Sequence, residues 1–157
     1  MTQVSDSGLV SATKEKTTFN MEYRVSIEIN ADLDKIWSIL TTGSSYTNWN
    51  STITSLEGNI QLGDTINLKT TLDAKRTFKL KVSEFEKNKK MVWKSGMPLF
   101  KGVRTYTLDE TGSGAIRFTM SEAFSGLMLP MIAGSLPDFT EAFEQFAQDL
   151  KKEAEKE

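Results

Sequence analysis

The 157-residue chain contains no cysteine and no histidine, and only three prolines. Without cysteine there is no disulfide framework and no thiol nucleophile. Without histidine the usual general acid/base near neutral pH is missing, and so is the commonest metal ligand. With both gone a zinc site loses its ordinary donors, and Ser-His and Cys-His nucleophile pairs are excluded. The expectation is no metal and no cofactor. Any catalysis falls to Asp, Glu, Lys, Arg or Tyr.

A long hydrophobic run is also lacking. Leu127–Ala133 is the longest, far short of the roughly 20 residues that cross a bilayer as a helix, so no transmembrane segment is expected. The opening MTQVSDSGLV has neither a basic n-region nor an apolar h-region, which argues against a secretory signal and makes a cytoplasmic location the expectation. Nor is there an excess of one charge. The formal net charge is −2, and a nucleic-acid partner would leave a basic footprint. The densest basic run, Lys87-Asn88-Lys89-Lys90, lies between two strand-like segments and reads as a solvated hairpin tip.

What the chain does have is apolar and aromatic volume: 38% hydrophobic residues, with nine Phe and three Trp. That suffices for one domain's core and for the lining of a pocket. Residues 1–20 are polar and without periodicity, and read as a flexible extension, leaving 21–157 as a single domain. Tyr23, Val25, Ile27 and Ile29 alternate with polar residues as a half-buried strand does. Asp32 is suited to cap a following helix, whose stripe is Leu33, Ile36, Trp37 and Leu40. Gly43 is placed to end that helix, and Ser44–Trp49 to form a further short turn. Six strand-like segments follow: Ile53–Glu57, Asp64–Leu72, Arg76–Phe85, Lys90–Ser95, Gly102–Leu108 and Ala115–Phe124. Short links between them make antiparallel neighbours. Leu136, Phe139, Phe143, Phe146 and Leu150 then step by three and four along a long helix. Pro130 and Pro137 favour first turns, so two helical pieces are expected, about 127–135 and 137–155. The fold class expected is α+β: a curved antiparallel sheet of about seven strands gripping a long C-terminal helix, with two short helices after the first strand.

The order of elements and several local strings resemble the START-like superfamily, also called SRPBCC, which includes polyketide cyclase/dehydrase and lipid-transport relatives. The strings are Asn30-Ala31-Asp32 before Ile36-Trp37, then Ser45-Tyr46-Thr47-Asn48-Trp49-Asn50, Leu56-Glu57-Gly58 and Gly63. Trp93-Lys94-Ser95-Gly96, Phe100-Lys101-Gly102 and Glu122-Ala123-Phe124-Ser125-Gly126 follow, the last running to Pro130. The resemblance covers about residues 21–155. It implies a cavity between sheet and long helix that holds an apolar or amphipathic ligand, and it does not by itself imply catalysis. The sequence departs from such relatives in one respect: where they often place histidine two residues after the glycine of the sixth strand, Arg104 follows Gly102. A chemical role for that histidine cannot transfer.

Three constellations carry candidate function. The first is the aromatic and methionine set. Phe78 and Leu80 share one strand face, Trp93 another, and Phe118 and Met120 a third; with Trp37, Phe139 and Phe143 they either enclose a pocket or pack solid. The second is Arg104, Tyr106 and Glu122. Pairing Leu108 with Phe118 would set Arg104 opposite Glu122 on the apolar face, and a shift by two residues would leave them diagonal neighbours; either way they serve as a ligand anchor or as a structural ion pair. The third is the run Leu127–Ile132, including Met128. It reads either as the buried inner side of a helix start or as a lip that admits ligand or touches a membrane; Ser44–Asn50, with Trp49, would be the opposite lip or a helix end packed on the sheet. The leading functional reading is binding or carriage of a lipid, polyketide or isoprenoid. The alternative is a cyclase- or dehydratase-like enzyme on a hydrophobic carbonyl compound, using Arg104, Tyr106 and Glu122. A chaperone-activator type of interaction module is a third class with little support in the mixed surface charge.

Overall fold

A computed structural model of the chain describes residues 10–156. Its frame is one sheet of eight strands in the order β1-β2-β8-β7-β6-β5-β4-β3, every neighbouring pair antiparallel. The strands are β1 (Thr13–Lys16), β2 (Asn20–Ile29), β3 (Ile53–Glu57), β4 (Thr65–Thr70), β5 (Asp73–Glu86), β6 (Lys90–Met97), β7 (Phe100–Glu110) and β8 (Ile116–Ser125). Helices α1 (Leu33–Thr41) and α2 (Tyr46–Trp49) carry the chain from β2 to β3 at the far edge. After β8 come α3 (Leu129–Ile132), a 3-10 turn over Ala133–Ser135, and α4 (Thr140–Ala154).

The core sits between the concave face of this sheet and α4. Alternation sends Met21, Tyr23, Val25, Ile27 and Ile29 inward from β2, and Ile116, Phe118, Met120 and Phe124 inward from β8. Helix α4 returns Phe143, Phe146, Ala147 and Leu150 from one stripe, packed on β2, β8, α1 and α2. Burying three or four such side chains at about 1.5–3 kcal/mol each outweighs the weak intrinsic preference of a 15-residue helix to form alone.

Four details differ from the sequence reading. Residues 13–16 form strand β1 on the edge of β2, where the sequence suggested only an extension; their side chains are all exposed, so no hydrophobic alternation marks them. Residues 1–9 of that extension lie outside the described residues. Asp32 does not cap α1 through its carboxylate, which stays exposed, and only its carbonyl takes part, accepting from the Ile36 amide at 3.1 Å. Gly43 does not terminate α1 in a left-handed conformation. Its lack of a side chain serves packing, since a Cβ there would lie 2.7 Å from Leu56 Cδ2. The C-terminal helix begins at Thr140 rather than Pro137, with the Asp138 carboxylate accepting from the Thr140 amide at 2.9 Å.

Candidate functional site

The β7–β8 register pairs Leu108 with Phe118 and therefore Arg104 with Glu122. Both charged groups point into the concave face, 9% and 8% exposed, and Arg104 Nε donates to Glu122 Oε1 at 2.7 Å. A buried charge is tolerated only when it is paired, and the two meet that condition for each other. The guanidinium also lies over the Phe143 ring, 5.3 Å from its centroid, a cation–π contact from α4. Gly102 makes room for the carboxylate: a Cβ there would stand 3.1 Å from Glu122 Oε2. Burial pushes the Glu122 carboxyl above its ordinary range, against the opposing pull of Arg104. Burial alone would lower the Arg104 pKa, but Tyr106 and Glu122 raise it more, so the guanidinium stays charged.

Tyr106 lies one pleat further along β7, fully buried between Trp93, Phe118 and Phe146. Its hydroxyl makes no directed hydrogen bond. Burial pushes its pKa up to about 12, with the Arg104 charge opposing the rise. The hydroxyl is therefore neutral at physiological pH.

Beside the ion pair the interior is hollow. A cavity of about 460 Å³ opens between β4, β5, the ends of β6 and β7, and the segment Ile132–Phe139. At about 30 Å³ for a water-sized group, it has room for on the order of fifteen such groups. Arg104 and Glu122 form part of its wall, with Phe78, Leu80, Phe124 and Phe139 among the apolar lining. Arg76 stands on the same wall, its guanidinium 4.9 Å from the Phe78 centroid. A smaller void of about 20 Å³, the size of one water, adjoins it at Arg104 and Phe139 and is lined further by Met120, Phe143 and Phe146.

The sequence-selected residues divide between these two halves. Phe78, Leu80, Arg104, Glu122 and Phe139 come together on the cavity, while Met120 and Phe143 line the small void at Arg104. Trp37 packs edge-on to Phe85, Trp49 against Tyr46 and Phe146, and Trp93 against Tyr106; with Phe118 they belong to the solid half of the core. Tyr46, Trp49 and Asn50 are all buried, so that stretch is a helix end packed on the sheet. The Leu127–Ile132 run splits. Leu129 is buried and Ile132 lines the cavity; Met128 is half-buried, its amide donating to the Leu99 carbonyl at 3.0 Å. Leu127 and Met131 are 68% and 81% exposed.

Several wall residues were not singled out from sequence: Leu68, Leu72, Phe100, Phe124 and Leu136. The alternation Ile66, Leu68, Thr70 shares one face of β4, and Phe124 shares the parity of Glu122, so both carried a readable signal. Phe100 opens β7 and Leu136 belongs to the 3- and 4-stepping stripe, but nothing in either pattern marks them as bordering a cavity.

Residues 21–155 match the family described as polyketide cyclase / dehydrase and lipid transport. No curated protein matches the sequence. Among solved structures, a START superfamily protein from Mycobacterium smegmatis aligns with a TM-score of 0.63 at 17% identity, over 85% of this chain and 97% of that one. A truncated norcoclaurine synthase from Thalictrum flavum gives 0.66 at 12% identity, over 91% and 98%. A major latex-like protein from Panax ginseng gives 0.68 at 14% identity, over 88% and 99%. At these identities the likeness is one of fold.

Proposed function

The chain belongs to the polyketide cyclase / dehydrase and lipid transport family, and from that premise we propose that it binds and carries a hydrophobic small molecule of lipid, polyketide or isoprenoid type. The observation that carries this reading is the hollow of about 460 Å³ whose mostly apolar wall holds the buried Arg104–Glu122 pair, with Asp73, Arg76 and Lys79 also on the lining. Ligand pockets have that composition: mostly apolar, with a few polar groups that fix orientation. Arg104, charged and tied down by Glu122 and Phe143, offers its remaining N–H groups to a ligand's carbonyl, carboxylate or hydroxyl.

A cavity that works this way can be filled. Leu80→Trp projects an indole into the empty space, and 1-anilinonaphthalene-8-sulfonate binding is expected to fall at least tenfold, about 1.4 kcal/mol or more. The melting temperature should stay level or rise, because the added ring gains contacts. Stoichiometric probe binding that survives Leu80→Trp unchanged would place the ligand elsewhere and sink the reading.

The cavity-facing position of Glu122 supports a second reading, a cyclase- or dehydratase-like enzyme on a hydrophobic carbonyl compound. In it Arg104 stabilises a developing enolate and Glu122 moves the proton. Tyr106 is outside the cavity wall, and its part in that chemistry would be to support Arg104 from behind. Glu122→Gln then abolishes turnover across a panel of hydrophobic ketones while probe binding is retained, the split expected of a group that acts in the transition state rather than in ground-state binding. A wild-type chain with no turnover above background on that panel leaves carriage as the function.

A further inference from the structure

We infer that the end of the sheet at which the cavity opens is a docking surface for an anionic phospholipid bilayer. The inference does not rest on the identity of the cavity's ligand.

The first observation is where the exposed apolar side chains are. Met97 and Leu99 form the tip of the β6–β7 hairpin, and Leu127 and Met131 project from the segment that follows β8. Backbone hydrogen bonds tie the two tips and Phe19 together: Met128 N donates to Leu99 O at 3.0 Å and Gly126 N to Phe19 O at 3.2 Å. All five side chains are solvent-exposed, Met131 most at 81%. Of the exposed large hydrophobics among the described residues, only Leu62 lies elsewhere. A water-soluble surface does not gather its exposed apolar groups on one edge without something to cover them.

The second observation identifies what covers them. Across the outward-facing side of β5 and of the same hairpin, Lys79, Lys81, Lys94 and Lys101 line one open groove. All four are exposed, and none has an ion-pair partner among the described residues. The register arranges them in depth. Lys101 pairs with Gly96, next to the hairpin tip, and Lys94 pairs with Lys81 two residues further in. With a rise of about 3.3 Å per residue, these cations stand about 3 to 10 Å behind the apolar tip. That is the spacing of an interfacial protein, with side chains in the acyl boundary and lysines at phosphate level. A net charge of −2 for the whole chain makes this local basic face a feature of the fold rather than of composition. Among the described residues no helix is long and apolar enough to cross a membrane, so the contact is peripheral.

Flotation with vesicles tests this. The intact chain should float with 70:30 phosphatidylcholine/phosphatidylglycerol vesicles at 0.1 M salt, and should not float with phosphatidylcholine alone. Lys94→Gln with Lys101→Gln should lower the partition coefficient about 25-fold, roughly fivefold per cation at an anionic surface. Leu127→Asp with Met131→Asp should lower it roughly a hundredfold or more, with circular dichroism and melting temperature unchanged because both positions are exposed. Absence of binding to the anionic vesicles overturns the proposal, as does binding that ignores both double variants. Concentration-dependent self-association abolished by Leu127→Asp/Met131→Asp, without vesicle binding, overturns it in favour of a second copy of the chain. Cavity occupancy read in parallel with 1-anilinonaphthalene-8-sulfonate keeps failure of docking separate from failure of the carrier reading.

Discussion

Arg104→Met should destabilise the folded chain by about 3 kcal/mol, measured as a fall in the urea midpoint at constant m-value. The substitution keeps most of the volume and removes the charge, leaving the Glu122 carboxylate in an apolar wall without its partner. The loss belongs at the lower end of the range for broken buried pairs, because the two side chains are each still 11% exposed through the cavity. Arg104→Met/Glu122→Leu should recover that loss or exceed it, since the desolvation cost disappears with both charges. This double variant separates stability from function. It should fold, keep the cavity, and bind a long-chain alcohol or acid no better than a hydrocarbon of the same length. A single variant as stable as wild type would show that the carboxylate is solvated by the cavity and that the pair adds nothing to the fold. A double variant that kept its preference for a polar head would move the anchor to another residue, of which Arg76 is the first to test.

Gly126→Ala is the second large effect, about 3 kcal/mol or more on unfolding. Gly126 has φ +129, a region closed to L side chains, and a Cβ built on it would lie 2.1 Å from the Leu99 carbonyl oxygen. That oxygen is backbone and also accepts from the Met128 amide, so relief requires moving the β6–β7 hairpin tip. The damage should be local to the mouth: hydrogen exchange should rise around Leu99 and Met128 before it rises in β2 or α4. Gly134→Ala is the control within the same segment. A Cβ there meets nothing within 4 Å and the residue has no positive φ, so the substitution should stabilise by about 0.4–1 kcal/mol through the unfolded state. Equal effects from the two substitutions would refute the steric account.

Much of the fold was legible because its signals are periodic. Tyr23 to Ile29, Ile116 to Phe124 and the Phe143-to-Leu150 stripe bury one face each, and period two or 3.6 survives in the order of residues. The ion pair was legible for a related reason. Glu122 stands in a row of apolar residues and Arg104 in the facing row, so a short hairpin through Gly112 was enough to make them opposite or diagonal neighbours, and the register chose the former. Strand β1 was not legible: its side chains are all exposed, and backbone pairing to β2 leaves no pattern. The split of the aromatic set was not legible either. Trp93 and Phe78 are alike in chemistry and each lies on an inward face, yet one packs against Tyr106 and the other borders a void.

The sequence by itself determined the α+β class, the facing of the strongly alternating strands, the placing of Arg104 and Glu122 on neighbouring apolar rows and the exclusion of histidine and thiol chemistry. Each of those depends on residue type, on local spacing or on one short turn. The tertiary structure decided that a cavity of about 460 Å³ lies beside the ion pair, that Leu127 and Met131 face solvent beside Met97 and Leu99, and that four lysines from three strands make one basic face. Packing is a sum over residues far apart in the chain. How far β5 stands from the segment Ile132–Phe139, together with the size of the side chains between them, sets whether facing residues touch or leave room for a guest.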